Sequence, residues 1–169
     1  PIWENGLRFI PDWLKGQKTG FFIDQRENRE LVGQYAQGRT VLNAFCYTGG
    51  FSIYALGAGA KRVDSLDSSS KAMYLTERHV ALNFGEDCPR HRSVTEDAFD
   101  YLEQMPQGEY DLIILDPPAF AKHRKVLRNA LMGYRKINGI AIKKAAPGSI
   151  IFTFSCSQAV SKEEFRSEE

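Results

Sequence analysis

The stretch Thr40-Val41-Leu42-Asn43-Ala44-Phe45-Cys46-Tyr47-Thr48-Gly49-Gly50-Phe51 decides the fold of this chain. Its first six residues read as a buried-type strand, the paired glycines as a turn, and a helix follows from about Phe51 to Leu56. Downstream the alternation repeats. Arg62 to Asp67 is the next strand, and Ser70 to Phe84 a well-patterned helix with Ser68 or Ser69 as its cap. Arg92 to Thr95 gives a weak strand and Ala98 to Met105 a short helix. Tyr110 to Leu115 is a strongly apolar strand that stops at Asp116-Pro117-Pro118. A helix is expected from about Leu127 to Ala146, and Ser149 to Phe154 is the last strong strand. Strands separated by helices in this way imply right-handed crossovers, hence an α/β, doubly wound, mostly parallel sheet.

Upstream, residues 25–37 place Leu31, Val32, Tyr35 and Ala36 on one helical face, and Gly38 stops the pattern. Leu7 to Ile10 is a short strand candidate broken by Pro11, residues 16–20 are a loop, and Phe21-Phe22-Ile23 is a second short strand. Residues 1–24 do not join the alternation. They read as the end of a preceding module or a hairpin packed on the sheet edge, with residues 25–169 as the core.

The 169 residues suit one domain, and 43% hydrophobic with 25% charged residues is ordinary for a globular protein. A net charge of +1 is too near neutral to signal polyanion binding, so any case for a nucleic acid rests on local features. Cys46, Cys88 and Cys156 form no CxxC pair and are odd in number, which reads as thiols in a reducing, intracellular setting. No apolar run approaches bilayer length and the N-terminus lacks a signal-peptide pattern. A start at Pro1 and an end on Arg166-Ser167-Glu168-Glu169 suggest a fragment.

In a doubly wound sheet, ligands bind at the carboxyl ends of the strands, near the point where strand order reverses. After the first core strand, Gly49 and Gly50 let backbone N–H groups approach a ligand and start a helix facing it. The turn is not GxGxxG, which disfavours an NAD-type dehydrogenase. The bland alternative is a tight strand-to-helix turn. Asp67 ends the second strand about twenty residues on, where a carboxylate accepts ribose hydroxyls; a lone Asp there is also a common helix cap. Asp97, with Ala98 and Phe99, follows the third strand and suits an adenine amino group, though Asp97 equally suits an N-cap. Together these suggest an adenosyl ligand. The fourth strand ends in Asp116-Pro117-Pro118-Ala119-Phe120, whose prolines leave carbonyls free and whose Phe120 offers a stacking face for a base. The fifth ends in Phe154-Ser155-Cys156-Ser157. A solitary cysteine is usually an inert hydrophobe, but Cys156 lies where strands four and five converge. Cys46 competes from the cofactor turn, where it reads as wall. Lys122, His123, Arg124, Lys125 and Arg128 follow the Pro-Pro turn and suit flanking phosphates or, more plainly, a solvated loop.

These residues resemble the large-subunit ribosomal RNA cytosine-C5 methyltransferases that carry an N-terminal PUA domain. The likeness runs through Glu4-Asn5-Gly6-Leu7, residues 16–26, residues 41–51, Asp67, residues 116–120, residues 133–138 and Phe152-Thr153-Phe154-Ser155-Cys156-Ser157. The resemblance implies a Rossmann-like class I methyltransferase binding S-adenosyl-L-methionine. Cofactor contacts would come from Lys18, Thr19, Asp24 and Arg26 over the methionine end, and from Asn43, Phe45, Tyr47, Thr48, Gly49 and Gly50. Asp67, Ser68, Asp97, Ala98 and Asp116 would complete the set. It also implies Cys156 as nucleophile; beside it, Asp116 would act on the base, Pro117, Pro118 and Phe120 would bind it, and Lys122 and Arg124 would hold the flanking RNA phosphates. The expected partner is large-subunit ribosomal RNA in the cytoplasm, with no metal, no membrane, and a homodimer left open. The family's PUA domain would precede Pro1, and a final helix and antiparallel hairpin would follow the fifth strand; neither is in this sequence. Two rivals stand: a guanine-N7 RNA methyltransferase, expected to lack the cysteine, and a catalytically idle cofactor- or RNA-binding module.

Overall fold

Parallel strands must be joined by crossovers, and here each crossover is a helix. The structure is a computed structural model that describes residues 1–11, 20–120, 127–156 and 160–166. It begins with β1 (Ile2–Glu4) and β2 (Leu7–Phe9), then a 3-10 turn (Ile23–Gln25) and α1 (Arg26–Ala36). The core runs β3 (Thr40–Ala44), α2 (Gly50–Gly57), β4 (Arg62–Asp67), α3 (Ser70–Phe84), β5 (His91–Thr95), α4 (Ala98–Gln104), β6 (Leu112–Leu115), α5 (Leu127–Lys144) and β7 (Ile150–Thr153). A short helix, α6 (Lys162–Arg166), lies beyond the fifth core strand, where the sequence reading had ended.

The sheet has the order β5-β4-β3-β6-β7 and every pair is parallel. Strand order reverses between β3 and β6, so the switch point lies where the sequence places the glycine turn and the Asp-Pro-Pro loop. Alternation along each strand feeds two layers. Val41, Leu112 and Ile114 turn to one face and pack with α1, α2 and α3. Leu42, Ala44, Ile113 and Leu115 turn to the other and pack with α4 and α5.

The N-terminal segment differs from its sequence reading. Phe21-Phe22-Ile23 is not a strand: Phe21 is buried in the core and Ile23 opens the 3-10 turn. The strand expected over 7–10 ends at Phe9 and pairs with β1 through Asn5-Gly6, whose φ values of 48° and 81° fit a tight hairpin turn. This hairpin lies on α3 and α2 rather than on a sheet edge. Asn83 of α3 holds it there, accepting from Arg8 N–H at 2.8 Å and donating to Arg8 C=O at 2.8 Å. On α1, Leu31 and Tyr35 are exposed, and the buried face is Arg29, Val32 and Ala36.

Arg29 is buried because Glu4 is. Its Nε and Nη2 donate to the two Glu4 carboxylate oxygens at 2.8 Å each, and Tyr54 O–H donates to Glu4 at 2.9 Å. The Arg29 guanidinium also lies over Phe21, 4.5 Å from the ring centre, and donates to Phe22 C=O at 2.8 Å. His79 is the second tie. Its Nδ1 meets Thr48 C=O at 2.8 Å while Nε2 accepts from Ile10 N–H at 2.9 Å, a pattern that suits one neutral tautomer. Burial lowers its pKa, against the pull of the Thr48 and Ile10 carbonyls.

Two measurements probe these ties. Arg29→Met strands a buried carboxylate and is expected to cost about 3–5 kcal/mol in urea unfolding; a loss below about 1 kcal/mol would show the pair to be dispensable. His79 takes up a proton on unfolding once the pH is below its ordinary value of about 6.5. Stability is therefore complete above that value and falls as the pH drops toward the lowered folded pKa. His91, also lowered by burial, adds in the same direction. Unfolding midpoints at pH 7, 6 and 5 should fall in that order, and His79→Gln should flatten the slope.

Candidate active site

At the end of β3 the chain leaves the sheet by an unusual path. Phe45 and Tyr47 have φ values of 57° and 49°, in the left-handed region, which costs side-chain-bearing residues about 1–3 kcal/mol each. The surroundings hold them there. Cys46 N–H donates to Leu66 C=O at 3.0 Å, Gly49 N–H to Cys46 C=O at 2.8 Å, and Thr76 Oγ1 to Tyr47 C=O at 3.1 Å. Gly49 must be glycine: a Cβ there would sit 2.6 Å from Thr76 Cγ2, and φ is 77°. The turn delivers the chain into α2, whose first N–H groups lack partners within the helix.

The turn forms one wall of a cleft of about 710 Å³. Phe45, Tyr47, Thr48 and Gly50 line it from β3 and α2, and Asp67 and Ser68 from the end of β4. Asp116, Pro117, Pro118 and Ala119 face them from the end of β6, and Cys156 from beyond β7. The N-terminal segment supplies Phe22, Asp24, Gln25 and Arg29. Phe22 meets Tyr47 edge-on at 5.4 Å. A second cavity of about 800 Å³ lies against α3 and β5 with Cys88 and His91 in its wall, away from the carboxyl ends of the strands.

Asp67 is held at the cleft wall by the backbone. One of its oxygens accepts from Tyr47 N–H and the other from Ser69 N–H, both at 2.9 Å. A carboxylate offers roughly four lone-pair sites, so acceptor capacity remains toward the cleft. The two cysteines near the cleft differ sharply. Cys46 is buried, its sulfur 3.5 Å from Met73 Sδ and 4.0 Å from Thr76 Oγ1. Burial, reinforced by the Asp67 charge, pushes its thiol far up. Cys156 is exposed, and its Sγ lies 3.7 Å from Pro117 C=O. A thiol that attacks must be deprotonated and reachable, which rules out Cys46 and admits Cys156.

Several sequence candidates lie elsewhere. Asn43 is fully buried, donating to Ser52 Oγ at 2.8 Å, because strand alternation turns it under α2. Asp97 caps α4, accepting from Phe99 N–H at 2.9 Å and Asp100 N–H at 3.2 Å, and Ala98 is in the core; neither lines the cleft. Arg26 is exposed at the start of α1, outside the cleft lining. Phe120 does not offer its face to the cleft: its ring packs on Tyr134 at 4.8 Å. Lys18, Thr19, Lys122 and Arg124 lie outside the described residues. Sequence reasoning missed Phe22, Arg29 and Phe51 as cleft residues. For the hairpin that fixes Arg29, the Asn5-Gly6 dipeptide was the available signal.

A cleft of this size suits a nucleoside-sized ligand, and the Gly49 approach and the half-satisfied Asp67 fit S-adenosylmethionine. Known proteins agree. The chain is 46% identical over 167 residues to a ribosomal RNA large subunit methyltransferase of Deinococcus radiodurans, covering 96% of this chain and 40% of that protein. It is 44% identical over 165 residues to ribosomal RNA large subunit methyltransferase I of Tolumonas auensis, covering 96% and 41%. The chain thus spans about two fifths of these relatives. Among solved structures, SMU.776, assigned as a methyltransferase and complexed with SAH, superposes with a TM-score of 0.78 at 30% identity over 98% of this chain and 44% of that one. The S-adenosylmethionine-dependent methyltransferase family matches residues 1–169 without remainder, and this chain belongs to it.

Proposed function

We propose that this chain is the catalytic core of a cytoplasmic RNA methyltransferase of the PUA-domain group, one that forms 5-methylcytosine in large-subunit ribosomal RNA through a covalent adduct of Cys156. The observation that carries this reading is the exposed Cys156 sulfur in the same cleft as Asp67 and the Asp116-Pro117-Pro118 loop. The names borne by the relatives support the RNA substrate.

S-adenosylmethionine supplies an electrophilic methyl group on a sulfonium. Asp67 and the turn from Phe45 to Gly50 would hold its adenosyl part, and the Phe22–Asp24 wall would close over its methionine end. Cytosine C5 is a poor nucleophile, so the protein must activate it. The Cys156 thiolate adds to C6, forming an S–C bond and moving electron density to C5. C5 would then take the methyl carbon as its bond to the sulfonium sulfur breaks, with S-adenosylhomocysteine as the leaving group; a base would remove the C5 proton, and the C6–S bond would break to return the thiolate. Asp116 and the carbonyls of the Pro-Pro turn hold the polar edge of the base while charge develops. The target must be unpaired or flipped to enter the cleft. A guanine-N7 enzyme would need no thiol, since N7 is already nucleophilic, and an idle module would transfer nothing.

In the full-length protein with undermethylated ribosomal RNA, Cys156→Ala should lose transfer by roughly 10³-fold or more while still binding the cofactor. Transfer at the parent rate would end the covalent reading. Asp67→Ala should weaken S-adenosylmethionine binding roughly 10- to 100-fold, the loss expected of charged hydrogen bonds. Calorimetry giving an unchanged affinity would remove Asp67 from the ribose.

A further inference from the structure

We propose that Tyr134 is a positioning residue of this site, its hydroxyl holding the strand end that carries Cys156 and its ring packed against the end of the loop that carries Asp116. This rests on the reading of Cys156 as nucleophile. Tyr134 lies on α5 and is fully buried, so its hydroxyl must be bonded within the protein. The Ser155 hydroxyl donates to it at 3.1 Å, one residue before Cys156. The ring of Phe120, four residues after Asp116, packs against the ring of the same tyrosine at 4.8 Å. One side chain thus touches both segments that must face the base.

The packing around it has the same effect. The Phe120 ring meets Tyr134 at 62° and 4.8 Å and packs close beside the preceding residue, Gly133. A Cβ on Gly133 would lie 3.1 Å from that ring. One turn along α5, Asn138 accepts from the Thr153 hydroxyl at 2.9 Å. Residues i and i+4 of α5 therefore grip residues i and i+2 of the β7 segment, matching helical to strand period. Phe154, of opposite parity, stacks on Phe51 at 5.2 Å, and Cys156 follows it toward the cleft. Burial raises the Tyr134 pKa, against the bond from Ser155, and Cys156 and Asp116 add to the rise.

A covalent step needs reacting atoms within about 3–3.5 Å, and a displacement near 1 Å can cost about 100-fold. Tyr134→Phe keeps the ring and deletes the oxygen; Ser155→Ala deletes its partner. In the full-length protein, two readings decide. The first is alkylation of Cys156 by iodoacetamide, followed by peptide mass spectrometry, which needs no RNA. Both single variants should raise its rate severalfold, and the double variant no further, because the two hydroxyls act as one unit. The second is methyl transfer: kcat should fall roughly 10- to 100-fold while cofactor affinity changes less than about threefold. Unchanged alkylation, a multiplicative double variant, or equal losses in kcat and cofactor affinity would overturn the proposal. A parent enzyme that transfers no methyl group would sink the reading of function, and the alkylation result would still uphold or refute the tie.

Discussion

The cleft depends on the approach of α3 to the turn after β3. Thr76 is close enough to Gly49 to exclude any side chain there, and it also bonds the Tyr47 carbonyl. His79, one turn further along α3, takes the Thr48 carbonyl. A helix one crossover later in the chain therefore holds three successive positions of the turn. That grip explains how two residues with side chains stay in left-handed conformations. Unsupported, such a turn would relax toward ordinary backbone and lose the path that brings Phe45 and Tyr47 to the cleft wall. The same contacts bury Cys46 beneath the turn, which removes it from chemistry.

The opposite wall is built at greater cost. Charged groups leave water only when paired, and the pair seldom repays its own desolvation. Glu4 and Arg29 are paired in both directions of the fork, with Tyr54 as a third partner, so the energetic argument is about location more than stability. Breaking the pair is expensive, and the hairpin and α1 are therefore committed to one relative position. That position carries the Phe22 carbonyl and the Phe22 ring, which leans on Tyr47. His79 adds a second link, through Ile10, between hairpin and glycine turn. The two walls are thus one mechanical unit, although they lie at opposite ends of the first fifty residues.

What was legible in the sequence follows from this. The sheet was readable because each core strand is a compact apolar run bounded by turns, and strand ends in such a sheet have one destination. That rule points to Asp67, the Asp116-Pro117-Pro118 loop and Cys156, and all of them line one cleft. Asn43 does not, since being in the strand and facing the cleft are different facts, and alternation sends its side chain under α2. Asp97 met its own helix first. Phe120 was misjudged as a stacking face because nothing local says that Gly133 leaves room for its ring. The buried Arg29 was hidden for a similar reason: a charged residue on a helix reads as exposed unless its partner, twenty-five positions away, is known. Phe21-Phe22-Ile23 looked like a strand by composition, but no ladder receives it.

Cys46 and Cys156 make the general point within one molecule. Both follow a core strand at the carboxyl edge of the sheet, and composition alone cannot rank them. The difference is which neighbour claims each sulfur. Cys46 is enclosed by Met73 and Thr76, beside a carboxylate that opposes its ionisation. Cys156 is exposed, and the residue before it is anchored to a buried tyrosine. A nucleophile needs access on one side and restraint on the other. Among the described cysteines at this cleft, only Cys156 is exposed, with its sulfur 3.7 Å from Pro117 C=O and the hydroxyl of the residue before it bonded to Tyr134.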